Sequence, residues 1–158
     1  NGYNSALSRR CSGFDSPSDR HLIMNIVTLS LLILCYSLVL GIIFAQVLLT
    51  APVVFKVLDN QNASNFLRKI FPRYYLLLFL ITLIALLVSY LFFQQVDVYF
   101  ALTAVCFSFL GYIIIPLTNA ARDRGWERVF KFFHNFSVLN TLIILVISIT
   151  QIVRVTYL

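Results

Sequence analysis

Residues 22–55 read LIMNIVTLSLLILCYSLVLGIIFAQVLLTAPVVF, thirty-four consecutive positions without an Asp, Glu, Lys or Arg. A helix needs about 20 predominantly apolar residues to cross roughly 30 Å of hydrocarbon, so this stretch reads as a membrane span with length to spare. Working outward, three further uncharged runs, 74–96, 98–121 and 132–153, pass the same threshold, and the four together take 103 of the 158 positions. Composition agrees: 60% of the chain is apolar and 11% charged, against about 45–50% and 25% in soluble domains. That excludes a water-soluble globule, and the apolar excess excludes a disordered chain. The expected fold class is all-α, an integral membrane four-helix bundle. Its spans fall at about 24–50, 74–93, 98–117 and 132–153, within a single domain over 22–158.

Punctuation between the runs refines this picture. Pro52 is expected to kink or end the first span, because proline removes a helix hydrogen bond and crowds the preceding turn. Only Gln94-Gln95-Val96-Asp97 separates the second and third runs, which predicts a tight antiparallel hairpin with Asp97 as helix N-cap. Pro116 marks the exit of the third span. Two short interfacial amphipathic helices are expected in the long loops. One is capped by Ser64, runs through Ile70 and is stopped by Pro72; the other is capped by Asn119 and carries Trp126, Val129, Phe130 and Phe133 at helical spacing.

Residues 1–21 form a polar tail with Arg9, Arg10, Asp15, Asp19 and Arg20, and the single methionine is Met24. A start at Met24, with the preceding stretch not native, is therefore an expectation. Basic residues concentrate in the flanks of two loops: Lys56, Arg68, Lys69 and Arg73, then Arg122, Arg124, Arg128 and Lys131. Lys and Arg accumulate on the cytoplasmic side. The prediction is a bacterial inner-membrane protein with loops 51–73 and 118–131 in the cytoplasm and both termini outside. The same basic loops suit anionic lipid, although topology alone explains them. Nothing in the chain suggests nucleic-acid binding.

Chemistry is scarce. The core spans hold no Asp, Glu, Lys or Arg, which argues against a proton-driven exporter unless His134 substitutes. His134 shares a helix face with Ser137, Thr141 and Ser148, so that side is expected to point into the bundle. It is a candidate cofactor-binding residue as a haem or metal ligand, or a proton relay; the simpler reading is a hydrogen-bonded interfacial histidine. The only other histidine, His21, precedes the first span on the opposite face, which excludes a bis-histidine haem within one chain. Cys35 and Cys106 read as small apolar packers. Ser37, Gly41 and Ala45 in the first span, and Ala104, Ser108 and Gly111 in the third, form small-residue ridges suited to close helix packing, expected chiefly within the chain. No catalytic constellation and no cofactor is expected.

Four segments carry a resemblance. Ala51-Pro52-Val53-Val54-Phe55, Leu67-Arg68-Lys69-Ile70-Phe71-Pro72-Arg73-Tyr74-Tyr75, Pro116-Leu117-Thr118-Asn119 with Asp123, and Phe133-His134-Asn135-Phe136-Ser137 resemble an uncharacterised family of small four-helix membrane proteins. That family includes transmembrane protein 205 and its bacterial relatives. The resemblance implies an integral membrane protein of unknown activity and gives Gly41, Pro52, Phe71, Pro72, Tyr74, Tyr75, Pro116, Asn119, Asp123, His134 and Ser137 as the motif and packing positions. In the family pattern an Asn follows the His by seven places; here Thr141 stands there and Asn140 one place before it. The function expected is a non-enzymatic accessory or scaffold role through helix and lipid contacts, as a homo-oligomer or in a larger membrane complex. The alternatives are a haem- or metal-linked redox or transport protein using His134, and small-molecule efflux.

Overall fold

The computed structural model describes residues 17–157, with side chains from Met24 to Tyr157; the polar tail before Pro17, Cys11 included, lies outside the described residues. Helix α1 spans Pro17–Phe44 and passes through a π-helical turn, Ala45–Thr50, into α2, Ala51–Val57, as one uninterrupted arm. Helices α3, Asn60–Phe92, α4, Gln95–Asp123, and α5, Glu127–Thr156, follow. Among the described residues, four segments are long and apolar enough to cross a membrane: Met24–Val57, Asn60–Phe92, Gln95–Asp123 and Glu127–Thr156. Their outward faces are apolar as well, Leu87, Leu102 and Leu139 being half exposed or nearly so, which inverts the pattern of a water-facing helix. The chain is an integral membrane protein of all-helical class.

Connections are short. Leu58-Asp59 joins α2 to α3, Phe93-Gln94 joins α3 to α4, and Arg124-Gly125-Trp126 joins α4 to α5, so sequential helices lie antiparallel. Helix α1 packs against α3 and α5, α4 packs against the same two, and the backbones of neither diagonal pair approach closely among the described residues; only side chains such as Tyr75 reach across the ring. The result is a four-membered ring of helices. One core cluster joins Leu32, Cys35, Tyr36, Ala85, Val88 and Val155; the other, toward the basic loops, joins Val39, Ile43, Tyr74, Tyr75, Leu78, Ile115 and Ile144.

Three expectations about helix ends are corrected. Pro72 does not stop a helix, because α3 runs from Asn60 straight through it; the Ser64–Ile70 segment is the first part of a span and not a separate interfacial helix. Pro116 likewise lies inside α4. A proline within a helix frees only one carbonyl, whereas a break leaves several backbone groups to be satisfied elsewhere; the continuous helix also keeps Phe71, Tyr74 and Tyr75, on either side of Pro72, packed on the core. Asn119 caps nothing: α4 continues to Asp123 and ends at Gly125, whose φ of 67° is open to glycine. Trp126 N–H bonds the Ala121 carbonyl (3.0 Å) and Gly125 N–H that of Arg122 (3.1 Å), the paired pattern of a Schellman stop. Trp126 then leads directly into α5.

Pro52 neither ends nor breaks the first span. An α-helical path into Pro52 would drive its ring against the Leu48 carbonyl. The wider π turn precedes it instead, with Ala51 N–H donating five residues back to the Gln46 carbonyl. From Ala45 onward the arm no longer approaches α5, and α2 touches only α3 among the other helices. Helices α1 and α5 are thus packed at one end of the bundle and splayed at the other.

Candidate functional site

The splay leaves a cavity of about 540 Å³ walled by all four spans at the end where both basic loops emerge. Ile43, Val47, Ala51 and Phe55 of the first arm face Val138, Leu142 and Leu145 of α5 across it, Phe71, Tyr74 and Tyr75 of α3 form a third side, and Ile115 and Thr118 of α4 the fourth. Its walls are therefore mostly hydrocarbon, and its volume falls in the roughly 300–1,000 Å³ range of small-molecule sites.

Tyr75 fixes the inner wall. Its ring fits only because residue 111 is glycine: a Cβ there would lie 2.1 Å from Tyr75 Cε1 and 2.3 Å from Cδ1. The phenol oxygen then sits 3.0 Å from Ser137 Oγ, 3.1 Å from the Ser137 carbonyl and 2.8 Å from Thr141 Oγ1. The hydroxyl of Thr141 donates to the Ser137 carbonyl at 3.1 Å. Two motif segments far apart in the chain, the Tyr74-Tyr75 start of one span and the His134-to-Ser137 start of another, are thereby tied together.

The rim is cationic. Arg68 forms a two-pronged ion pair with Asp123, Nη1 to Oδ2 at 2.9 Å and Nη2 to Oδ1, linking α3 to α4. Arg122 has no carboxylate partner among the described residues; its guanidinium lies over the Phe130 ring at 5.7 Å. The His134 ring stacks on the same Phe130, 5.9 Å between centroids and 14° between planes, as i,i+4 neighbours on α5 can. Two buried side chains on the walls carry polar groups with no partner, Gln46 Nε2 and Tyr74 Oη, as does Arg68 Nε. Beyond the rim, Asn62 Nδ2 donates to Asp59 Oδ1 at 2.6 Å, and this bond holds the Asp59 carboxyl below its usual range.

A model of a domain of unknown function, DUF4149, matches residues 34–127, more than half of the chain. The chain belongs to the DUF4149 family. No curated protein and no solved structure matches it. The matched DUF4149 segment supplies α1 from Leu34, the π turn, α2, α3 and α4, which are three of the four cavity walls; α5 lies beyond it.

The motif positions, nine inside the DUF4149 match and two, His134 and Ser137, beyond it, separate into those that line the cavity and those that do not. Phe71, Tyr74, Tyr75, Asn119, His134 and Ser137 all line the cavity. Pro52 and Pro116 are exposed and Pro72 is half-buried, each shaping a helix and not the wall. Asp123 is occupied by Arg68. Gly41 faces outward with nothing within 4 Å of an added Cβ, and Ser37 and Ala45 beside it are exposed; the ridge of the first span therefore does not pack within the chain. That of α4 does, since Ala104, Ser108 and Gly111 are all buried. His134 is exposed at the rim, not inside the bundle, while Ser137, Thr141 and Ser148 on its face turn inward. Asn140 is turned away from it and donates to the Phe107 carbonyl at 3.0 Å. No group of three His, Cys, Asp or Glu residues suited to a metal occurs among the described residues. His21 is on α1 near the end that packs beside Val155, about 30 Å along α5 from His134 at 1.5 Å per residue.

Sequence reasoning missed the polar cluster at the opposite end of the bundle. Asp97 is not an N-cap; Gln94 holds that position and Asp97 lies fully buried in the first turn of α4. Its Oδ1 accepts Gln151 Nε2 at 2.9 Å and Arg154 Nε and Nη2 at 3.3 Å. The bundle interior thus holds a carboxylate after all, paired with Arg154 from α5. Gln46 and Arg122 were missed as well; Arg122, four residues before Trp126, reads in sequence as one more loop charge.

Proposed function

We propose that this DUF4149 protein is a non-enzymatic membrane protein that works by holding a lipid-like molecule between its helices. The observation behind this is the interhelical cavity itself, apolar along its walls, polar at one rim, and assembled by the residues that carry the family resemblance. The gap between the first arm and α5 gives such a molecule a side entrance between two helices. The link to transmembrane protein 205 and its bacterial relatives belongs to this reading, since the Tyr74-Tyr75 and His134-to-Ser137 segments meet at Tyr75. We assign the basic end to the cytoplasm of a bacterial inner membrane and both termini to the outside, because Lys56, Arg68, Lys69 and Arg73 emerge beside Arg122, Arg124, Arg128 and Lys131, and such residues favour the cytoplasmic side. Anionic headgroups would gather there. The outward small-residue ridge at Ser37, Gly41 and Ala45 suits contact with a second copy or a larger membrane complex.

The test is purification in a mild non-ionic detergent followed by solvent extraction and mass spectrometry. A lipid-like species at near one per chain is expected, and a Leu145→Trp variant that fills the cavity should lose it. A wild-type chain carrying nothing above the detergent background would sink the proposal. Haem or metal linkage through His134 predicts instead a Soret band or stoichiometric metal that disappears in His134→Ala, and efflux predicts solute movement in proteoliposomes.

A further inference from the structure

The cavity rim carries information about what its occupant must look like. The polar groups left without partners around the cavity are hydrogen-bond donors: Gln46 Nε2 and the Tyr74 hydroxyl on its walls, the latter also able to accept, and Arg68 Nε at the rim. Gln46 is 9% and Tyr74 7% exposed, so bulk water does not compensate them. An unsatisfied buried donor is costly. No Asp or Glu lines the cavity, and Asp123, which adjoins Arg68 and Arg122 outside it, is paired with Arg68. The charge that remains is Arg122, held over the Phe130 ring with the His134 ring stacked on that same Phe130. Stacking restricts a guanidinium without using its N–H donors, which leaves them free for a planar or tetrahedral oxyanion.

We infer that the cavity selects an anionic amphiphile, with its oxyanion headgroup on Arg122 at the Phe130–His134 ledge and its acyl chain between the first arm and α5. This rests on the proposed lipid-holding function and sharpens it to a ligand class. A carboxylate, as in a fatty acid, and a phosphate monoester, as in a lysophosphatidate, share the required chemistry: several acceptor oxygens, a negative charge and one chain. A neutral monoacylglycerol offers the same chain without the charge. An amine-headed amphiphile brings a further positive charge to the Arg68 and Arg122 guanidiniums that line the cavity.

The experiment compares four ligands with one identical acyl chain on the full protein in non-ionic detergent, by native mass spectrometry: the fatty acid, the lysophosphatidate, the monoacylglycerol and the fatty amine. At least one of the two anions should bind about tenfold more tightly than the monoacylglycerol, or about 1.4 kcal/mol, and whichever does so identifies the headgroup. Arg122→Gln should remove that preference and leave monoacylglycerol binding unchanged. Arg122 is exposed, so folding is not at stake. Lys69→Gln, an exposed basic residue off the cavity, should keep the preference, which separates a built site from general surface charge. Equal binding of all four ligands would overturn this inference while leaving the lipid-holding function intact. A preference that survives Arg122→Gln, or is lost equally in Lys69→Gln, would also overturn it. No binding by any of the four would overturn both.

Discussion

Substituting Gly111 by alanine adds a single methyl group, yet should be among the most damaging small changes available in this bundle. The new Cβ would lie 2.1–2.7 Å from three atoms of the Tyr75 ring, far inside contact distance, and the ring cannot retreat without leaving Ser137 and Thr141. Overpacking costs about 1–3 kcal/mol. Displacing the phenol forfeits hydrogen bonds that average about 0.6 kcal/mol each in a bilayer protein. Together the loss should be about 2–4 kcal/mol, adding these terms, measurable by reversible unfolding in mixed micelles of non-ionic detergent and dodecyl sulfate. The decisive control is a double-mutant cycle. In a Tyr75→Leu background the obstacle is gone, so Gly111→Ala should be nearly neutral and the two changes should couple by at least about 1 kcal/mol, within the range for residues in contact. Equal cost of Gly111→Ala in both backgrounds would refute the claim that this glycine exists to admit the Tyr75 ring.

Gly41→Leu, by contrast, should leave the unfolding free energy of the single chain unchanged in the same assay, because open space surrounds the added side chain; a loss above about 1 kcal/mol would show that the ridge packs inward. At the far end, Arg154→Ala should cost about 3–5 kcal/mol, the usual penalty for leaving a buried charge without its partner. Asp97→Ala should cost less, since the Arg154 side chain is 33% exposed and can turn to solvent; the reverse order in the micelle assay would contradict the burial described. Asp59, whose carboxyl is held low by Asn62, stabilises the start of α3 above its unfolded-state pKa of about 3.9 and loses that contribution as the pH falls through the lower folded value. An NMR titration should therefore show the Asp59 pKa rising in Asn62→Ala.

The spans were legible because their signal is local and large: four uncharged runs, each longer than a bilayer requires, leave few alternatives. Helix ends were less so. The Pro72 stop follows from proline's missing donor, but the continuous helix loses only that one hydrogen bond and keeps Phe71, Tyr74 and Tyr75 together on the core, a gain made by tertiary packing. Gly125 was readable, as a glycine directly after a charged helix end, but Asn119 offered a competing cap. Asp97 could not have been placed from its neighbours, since what buries it is Gln151 and Arg154, more than fifty residues later. The cavity lay between these extremes. Its motif residues stood out in the sequence, but that six of them share one hollow follows from the divergence of α1 and α5, which no local pattern encodes.

That divergence begins at the π turn, and a π turn closes its hydrogen bond over one more residue than an α turn does. In the language of the gene, the width of the hollow depends on a single codon between positions 45 and 50. Removing Leu49, which is not part of the wall, would swing α2 by about 100°, the α-helical step per residue, and re-aim Phe55 without changing the identity of any wall residue. Two members of this family could thus share every lining side chain and still enclose different shapes, distinguished only by the length of that short segment. Spacing, more than identity, is the character to follow when chains of this kind are compared.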